Sequence, residues 1–134
     1  MERQQNIRLA EIKTAAATIA KQLKGGEILA LVGPLGSGKT AFAKALGKKL
    51  KIKQTMTSPT FTLMHAFSGR LPEKKSPVAL FHLDLYRLKN FRETKALGIT
   101  EIWGKPETVT LIEWADKIKK HLPEKTCYLY FQHK

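Results

Sequence analysis

Residues 33–40 read GPLGSGKT, a complete G-x-x-x-x-G-K-[ST] pattern, and few stretches this short restrict a fold as strongly. The residues before it, Glu27-Ile28-Leu29-Ala30-Leu31-Val32, form a short and nearly continuous apolar run, as expected of a strand buried on both faces. After it, Lys39 to about Leu50 carries helical spacing. A strand, a glycine-rich turn and a helix in this order make a phosphate-binding loop. Gly36 and Gly38 permit backbone conformations that a side chain hinders, so successive N–H groups can converge on an anion. The start of the helix adds positive potential. The predicted cradle comprises Gly33, Leu35, Gly36, Ser37, Gly38, Lys39 and Thr40.

The rest of the chain repeats the alternation of helix and strand. Leu9, Ile12, Ala16, Ile19, Ala20 and Leu23 recur at helical spacing until Gly25-Gly26, which predicts an amphipathic helix over 9–23. Thr60 to Phe67 is β-rich, and Ser68 to Ser76, with a glycine and two prolines, reads as the turn of a hairpin-like excursion. Val78 to Leu83 and Thr108 to Ile112 are two further buried strands, ending at Asp84 and Glu113. Asn90 to Leu97 reads as a short helix closed by Gly98, Ala115 to Leu122 as another stopped by Pro123, and Cys127 to Phe131 as the last strand. The expected fold is an α/β P-loop NTPase domain, three-layer α/β/α with a mostly parallel sheet, built as a single domain from residues 1–134. Ligands of such sheets bind beyond the carboxyl ends of the strands.

Composition narrows the setting. With 134 residues, 43% apolar and 26% charged, the chain has ordinary globular usage and the length of one core. No run approaches the roughly 20 apolar residues of a membrane span, and MERQQNIRLA leads into no signal-peptide core, so a cytoplasmic protein without membrane contact is expected. Cys127 is the only cysteine, which excludes an internal disulfide, and it reads as a small buried strand residue. A net charge of +13 attracts nucleotides and RNA alike. The lysine groups at 48–53 and 117–120 read first as solvated surface.

The side chains at the strand ends carry the chemistry. Lys39 places an ammonium near the β- and γ-phosphates, and the Thr40 hydroxyl is a hard oxygen ligand suited to magnesium. Asp84 stands where a Walker B acid would hold the metal, against the plain alternative of a loop aspartate. Glu113 is either a second magnesium ligand or the group that orients an attacking water. Lys39, Asp84 and Glu113 are the catalytic candidates; Thr40, Asp84 and Glu113 are the metal candidates. Trp114 reads as core in the absence of other information, and His82 and His65 as structural histidines on apolar strands.

The loop LVGPLGSGKT, SPTF at 58–61, HLDLYRL at 82–88, LGI at 97–99 and LIEWAD at 111–116 occur in an order and spacing that resembles the TsaE (YjeE) family of ATPases, which act in bacterial synthesis of threonylcarbamoyladenosine in tRNA. The resemblance implies ATP and Mg²⁺ as ligands, with magnesium handled by Thr40 and Glu113 and Asp84 as the Walker B-type acid. It places Thr60 in a segment sensing the γ-phosphate, Trp114 near the nucleotide, and Glu11 as a nucleotide contact. It also implies the TsaD and TsaB proteins as partners, with tRNA as substrate of the complex. Two departures stand out. Family members usually continue past the last strand with an arginine-containing segment close to the nucleotide, which has no counterpart up to Lys134. Around His65 the sequence reads MHAF where an acidic residue is common.

Two other classes share the loop. A small-molecule kinase needs an acceptor pocket and an arginine-bearing lid, for which Arg87 and Arg92 are the best candidates. A GTP switch would carry D-x-x-G and N-K-x-D, and neither occurs, which favours ATP.

Overall fold

The computed structural model describes residues 1–54, 56, 64–87, 90–96 and 98–132. Its centre is a six-stranded sheet. The strands are β1 (Gln4–Arg8), β2 (Ile28–Val32), β3 (Met64–Arg70), β4 (Pro77–Asp84), β5 (Thr108–Glu113) and β6 (Cys127–Gln132), and they lie in the order β1-β6-β2-β5-β4-β3. Only the β3–β4 pair is antiparallel. The helices are α1 (Ile12–Gln22), α2 (Lys39–Lys49), α3 (Phe91–Ala96) and α4 (Ile99–Ile102), with 3₁₀ segments at Leu9–Glu11 and Ala115–His121.

Side chains alternate across the parallel strands, and each face is covered separately. On one face, Leu29, Leu31, Leu80, Leu111 and Leu129 pack with Ile19 of α1 and Phe42 and Leu46 of α2. Phe42 meets Phe131 edge-on, with ring centroids 5.5 Å apart. On the other face, Ile28, Ala30, Leu83 and Ile112 are covered by Ile99, Ala115 and Ile118 from the shorter elements. Three layers result, and the α1/α2 layer holds the larger core.

Strand register brings the functional ends together. Leu31 of β2 lies opposite Glu113 of β5, and Glu113 lies opposite Asp84 of β4. The loop leaving β2 and both acids therefore emerge side by side at the carboxyl edge of the sheet.

Several expectations need correction. Strand β1 was not foreseen: QQNIR buries only Ile7, so no apolar alternation marks it. The first helix begins at Ile12, and Leu9, expected in its apolar stripe, is 47% exposed in the 3₁₀ turn. The hairpin is present, but β3 runs on through Ser68, Gly69 and Arg70. Arg70 N–H donates to Leu50 O at 2.6 Å, and a Cβ on Gly69 would lie 2.4 Å from that oxygen. Glycine permits this close backbone approach and looks in sequence like a turn residue. Ala115–His121 is 3₁₀ with a break at Ile118, where φ is −125°, instead of a regular helix, and α4 was not anticipated. The helix expected over 90–97 is observed at Phe91–Ala96; Leu97 lies outside the described residues, as do SPTF and the whole 57–63 stretch.

Candidate functional site

The loop after β2 turns tightly. Ser37 is fully buried, and its Oγ donates to Pro34 O at 2.7 Å. A Cβ on Gly33 would stand 2.8 Å from Ser37 Oγ and 2.9 Å from Phe131 O, so the chain can pass there only without a side chain. Gly38 ends the turn at φ +102° and serves as the N-cap of α2 with no side-chain cap bond. Side chains rarely adopt that conformation, and a Cβ there would lie 2.1 Å from Ile12 Cδ1. Phe42 N–H to Gly38 O, at 2.8 Å, is the first bond of the helix. The amides of Lys39, Thr40 and Ala41 precede any intrahelical acceptor and point out of the helix start, where an anion can take them up.

Lys39 is 4% exposed. Its Nζ donates to Gly33 O at 2.5 Å and sits 3.6 Å from the centre of the Trp114 ring. Burial holds this ammonium below its ordinary pKa, and the charges of Glu113, Asp116 and Asp84 pull it part of the way back. Trp114 adopts a left-handed φ of +60°, which turns the chain at the end of β5. The ring is half-buried and meets Tyr86 at 5.1 Å.

Leu35, Gly36, Gly38, Lys39, Thr40, Asp84, Glu113 and Trp114 line one open cleft of about 400 Å³. This is the size of a small-ligand site. The structure thus brings the loop, both strand-end acids and the tryptophan together. Trp114, expected in the core on its residue type, packs half-buried against the core and also lines the cleft wall. Glu11 is not among the lining residues: its Oε1 accepts Arg8 N–H at 3.2 Å and lies 3.9 Å from Arg8 Nε. Arg87 and Arg92 do not line the cleft either, and Thr60 lies outside the described residues.

His82 was read as merely structural, and its position says more. Two residues before Asp84 on β4, it shares the sheet face of Asp84 and Glu113. Its Nε2 is 2.6 Å from Glu113 Oε2, both side chains are buried, and among the described residues its Nδ1 has no hydrogen-bond partner. Nε2–H donating to the carboxylate fixes one oxygen of Glu113, a residue that also lines the cleft. The H-x-D spacing at 82–84 was the available signal, since residues two apart on a strand face the same way. Asp84 Oδ1 accepts Tyr86 N–H at 2.9 Å.

The donor set can be tested against magnesium. Among the described residues no cluster of three or more His, Cys, Asp or Glu could hold a metal by itself. One hydroxyl at Thr40 and two carboxylates opposite each other in register fit a hard, water-keeping ion that shares its shell with phosphate oxygens. They fit no closed protein cage.

A glycine loop between strand and helix at the carboxyl edge of a mostly parallel sheet, with acids ending the neighbouring strands, defines a P-loop NTPase fold. Residues 7–134 match the model of the family described as threonylcarbamoyl adenosine biosynthesis protein TsaE. The chain belongs to the TsaE family. It is 37% identical over 109 residues to the tRNA threonylcarbamoyladenosine biosynthesis protein TsaE of Treponema pallidum, covering 81% of this chain and 74% of that one. The protein of that name from Aquifex aeolicus is 38% identical over 106 residues, or 78% and 69% of the two chains. The crystal structure of Bacillus subtilis YdiB superposes with a TM-score of 0.64 at 28% identity, covering 92% of this chain and 71% of that one. Among the described residues no helix is long and apolar enough to cross a membrane.

Proposed function

We propose that this chain is a single-domain cytoplasmic protein that binds ATP with Mg²⁺ in the cleft and hydrolyses it slowly. In this reading the nucleotide state regulates the TsaB–TsaD pair during threonylcarbamoyladenosine synthesis in tRNA. The observation that carries the reading is the uncapped start of α2, with Lys39 inside the loop and Asp84 and Glu113 facing it from adjacent strands. The loop amides and the Lys39 ammonium hold the phosphate tail and stabilise the charge that develops on the γ-phosphoryl group. Thr40, Asp84 and Glu113 would hold magnesium, which supplies charge neutralisation on the phosphate oxygens. Glu113, held by the His82 Nε2–H, would either complete the magnesium shell or orient the attacking water. The tRNA setting is that of the TsaE relatives, and the threonylcarbamoyl transfer falls to the partners.

Calorimetry on the whole chain tests this. Mg-ATP should bind with a Kd below the millimolar range. Asp84→Ala and Glu113→Ala should lose magnesium-dependent hydrolysis by about 10²-fold while keeping most of the affinity for nucleotide without metal. No heat of binding at millimolar Mg-ATP would refute the nucleotide reading, and equal loss of binding and hydrolysis would refute the metal roles.

A further inference from the structure

Helices α1 and α2 lie side by side, and between them runs a groove of about 800 Å³. Its floor is apolar: Leu9, Ala10, Ile12, Ala41 and Ala45. Its walls are lysines. Lys44 and Lys48 stand one turn apart on α2 in the same stripe as Ala41 and Ala45, Lys13 comes from α1, and Lys49 and Lys51 close the far end. All five are exposed, and among the described residues no acidic residue lines the groove and none of the five forms an ion pair. The nearby Glu11 is engaged with Arg8.

We infer that this groove docks an acidic amphipathic helix of a partner protein. A third helix nests in the furrow between two packed helices, laying an apolar ridge on the alanine-rich floor. Carboxylates flanking that ridge would meet the lysine walls, and the positive field of the chain would speed the encounter. An RNA strand fits less well, because among the described residues no aromatic ring lines the groove to stack a base, and phosphates would leave the apolar floor uncovered. Leu9 and Ala41 line both the groove and the loop cleft, so an occupant of one lies against the other. The inference stands whether or not the cleft holds nucleotide.

The test uses the whole chain and a labelled synthetic helix with leucines at i, i+3, i+4 and i+7 flanked by glutamates, followed by fluorescence anisotropy. A second peptide carries lysines in place of the glutamates. The acidic peptide should bind the unaltered chain and the basic one should not. The double variant Lys44→Glu, Lys48→Glu should weaken the acidic peptide by about tenfold or more and gain affinity for the basic one, a reversal that a misfolded variant would not show. Equal binding of both peptides, or no binding of either at millimolar concentration, would overturn the proposal. So would oligouridylate binding that the double variant weakens more than it weakens the acidic peptide, which would make the groove a phosphate site.

Discussion

Two kinds of lysine share helix α2. Lys39 opens the helix and is 4% exposed, whereas Lys44 and Lys48, on the same helix, stand in solvent. The proton affinity of Lys39 is lowered, by burial before anything else. A solvated ammonium contributes to the long-range field at little cost. A buried one opposes folding unless its charge is matched, and Gly33 O, the Trp114 ring and three nearby acids match it only in part. The contrast separates a charge spread over a surface from a charge buried at the mouth of the loop.

The largest effect should come from breaking that distinction at the cleft. Lys39→Ala is expected to lower Mg-ATP affinity by about 10²- to 10³-fold. The double variant Lys44→Glu, Lys48→Glu should change it by no more than about threefold, the size of a screened surface field. Titration calorimetry at two salt concentrations measures both. Equal losses in the two variants would mean that the general positive field, and not the placement of one ammonium, draws the nucleotide.

A second test asks whether burial is the cause, using a group of opposite charge type. The Cys127 thiol is buried and pushed up to about 11 from an ordinary 9.0, chiefly by desolvation. Burial disfavours the charged form in both cases, so it lowers a lysine and raises a thiol. At pH 8 the folded protein should therefore carry about 100-fold less thiolate than the unfolded chain and alkylate correspondingly more slowly. The raised thiol contributes to stability below pH 9, and that contribution is lost as pH climbs toward 11. Alkylation with iodoacetamide, followed by mass spectrometry with and without urea, reads the ratio. Near-equal rates would show that Cys127 is open to water.

The loop and the two acid-ended strands were legible because each carries its signal locally. Glycines sit where the turn needs them, and Val78–Asp84 and Thr108–Glu113 are apolar runs with a single terminal acid. Edge strand β1 was hidden because its polar residues face solvent, and Gly69 disguised a strand as a turn. Sequence spacing placed Asp84 and Glu113 at strand ends, but only pairing places them opposite each other. The His82–Glu113 contact joins residues 31 positions apart, which no local pattern encodes. Trp114 is similar: it packs on the core and lines the cleft at once, and residue type alone does not separate the two.

The smallest effect bears most directly on why Lys39 is tolerated. A lowered lysine pKa means that the folded state penalises the protonated form. The penalty is present at neutral pH and disappears as pH rises from the lowered value through 10.5, where the unfolded lysine also loses its proton. Lys39→Met keeps the length and the contact with Trp114 but removes the charge. It should raise unfolding stability by about 1 kcal/mol at pH 7, with the gain shrinking toward pH 10, as measured by urea denaturation without nucleotide. A loss of stability at pH 7 would show that Gly33 O and the facing acids outweigh desolvation, so that Lys39 holds the loop together as well as waiting for a ligand. A gain would identify a charge that the fold carries at its own expense, and binding is then the remaining reason to keep it.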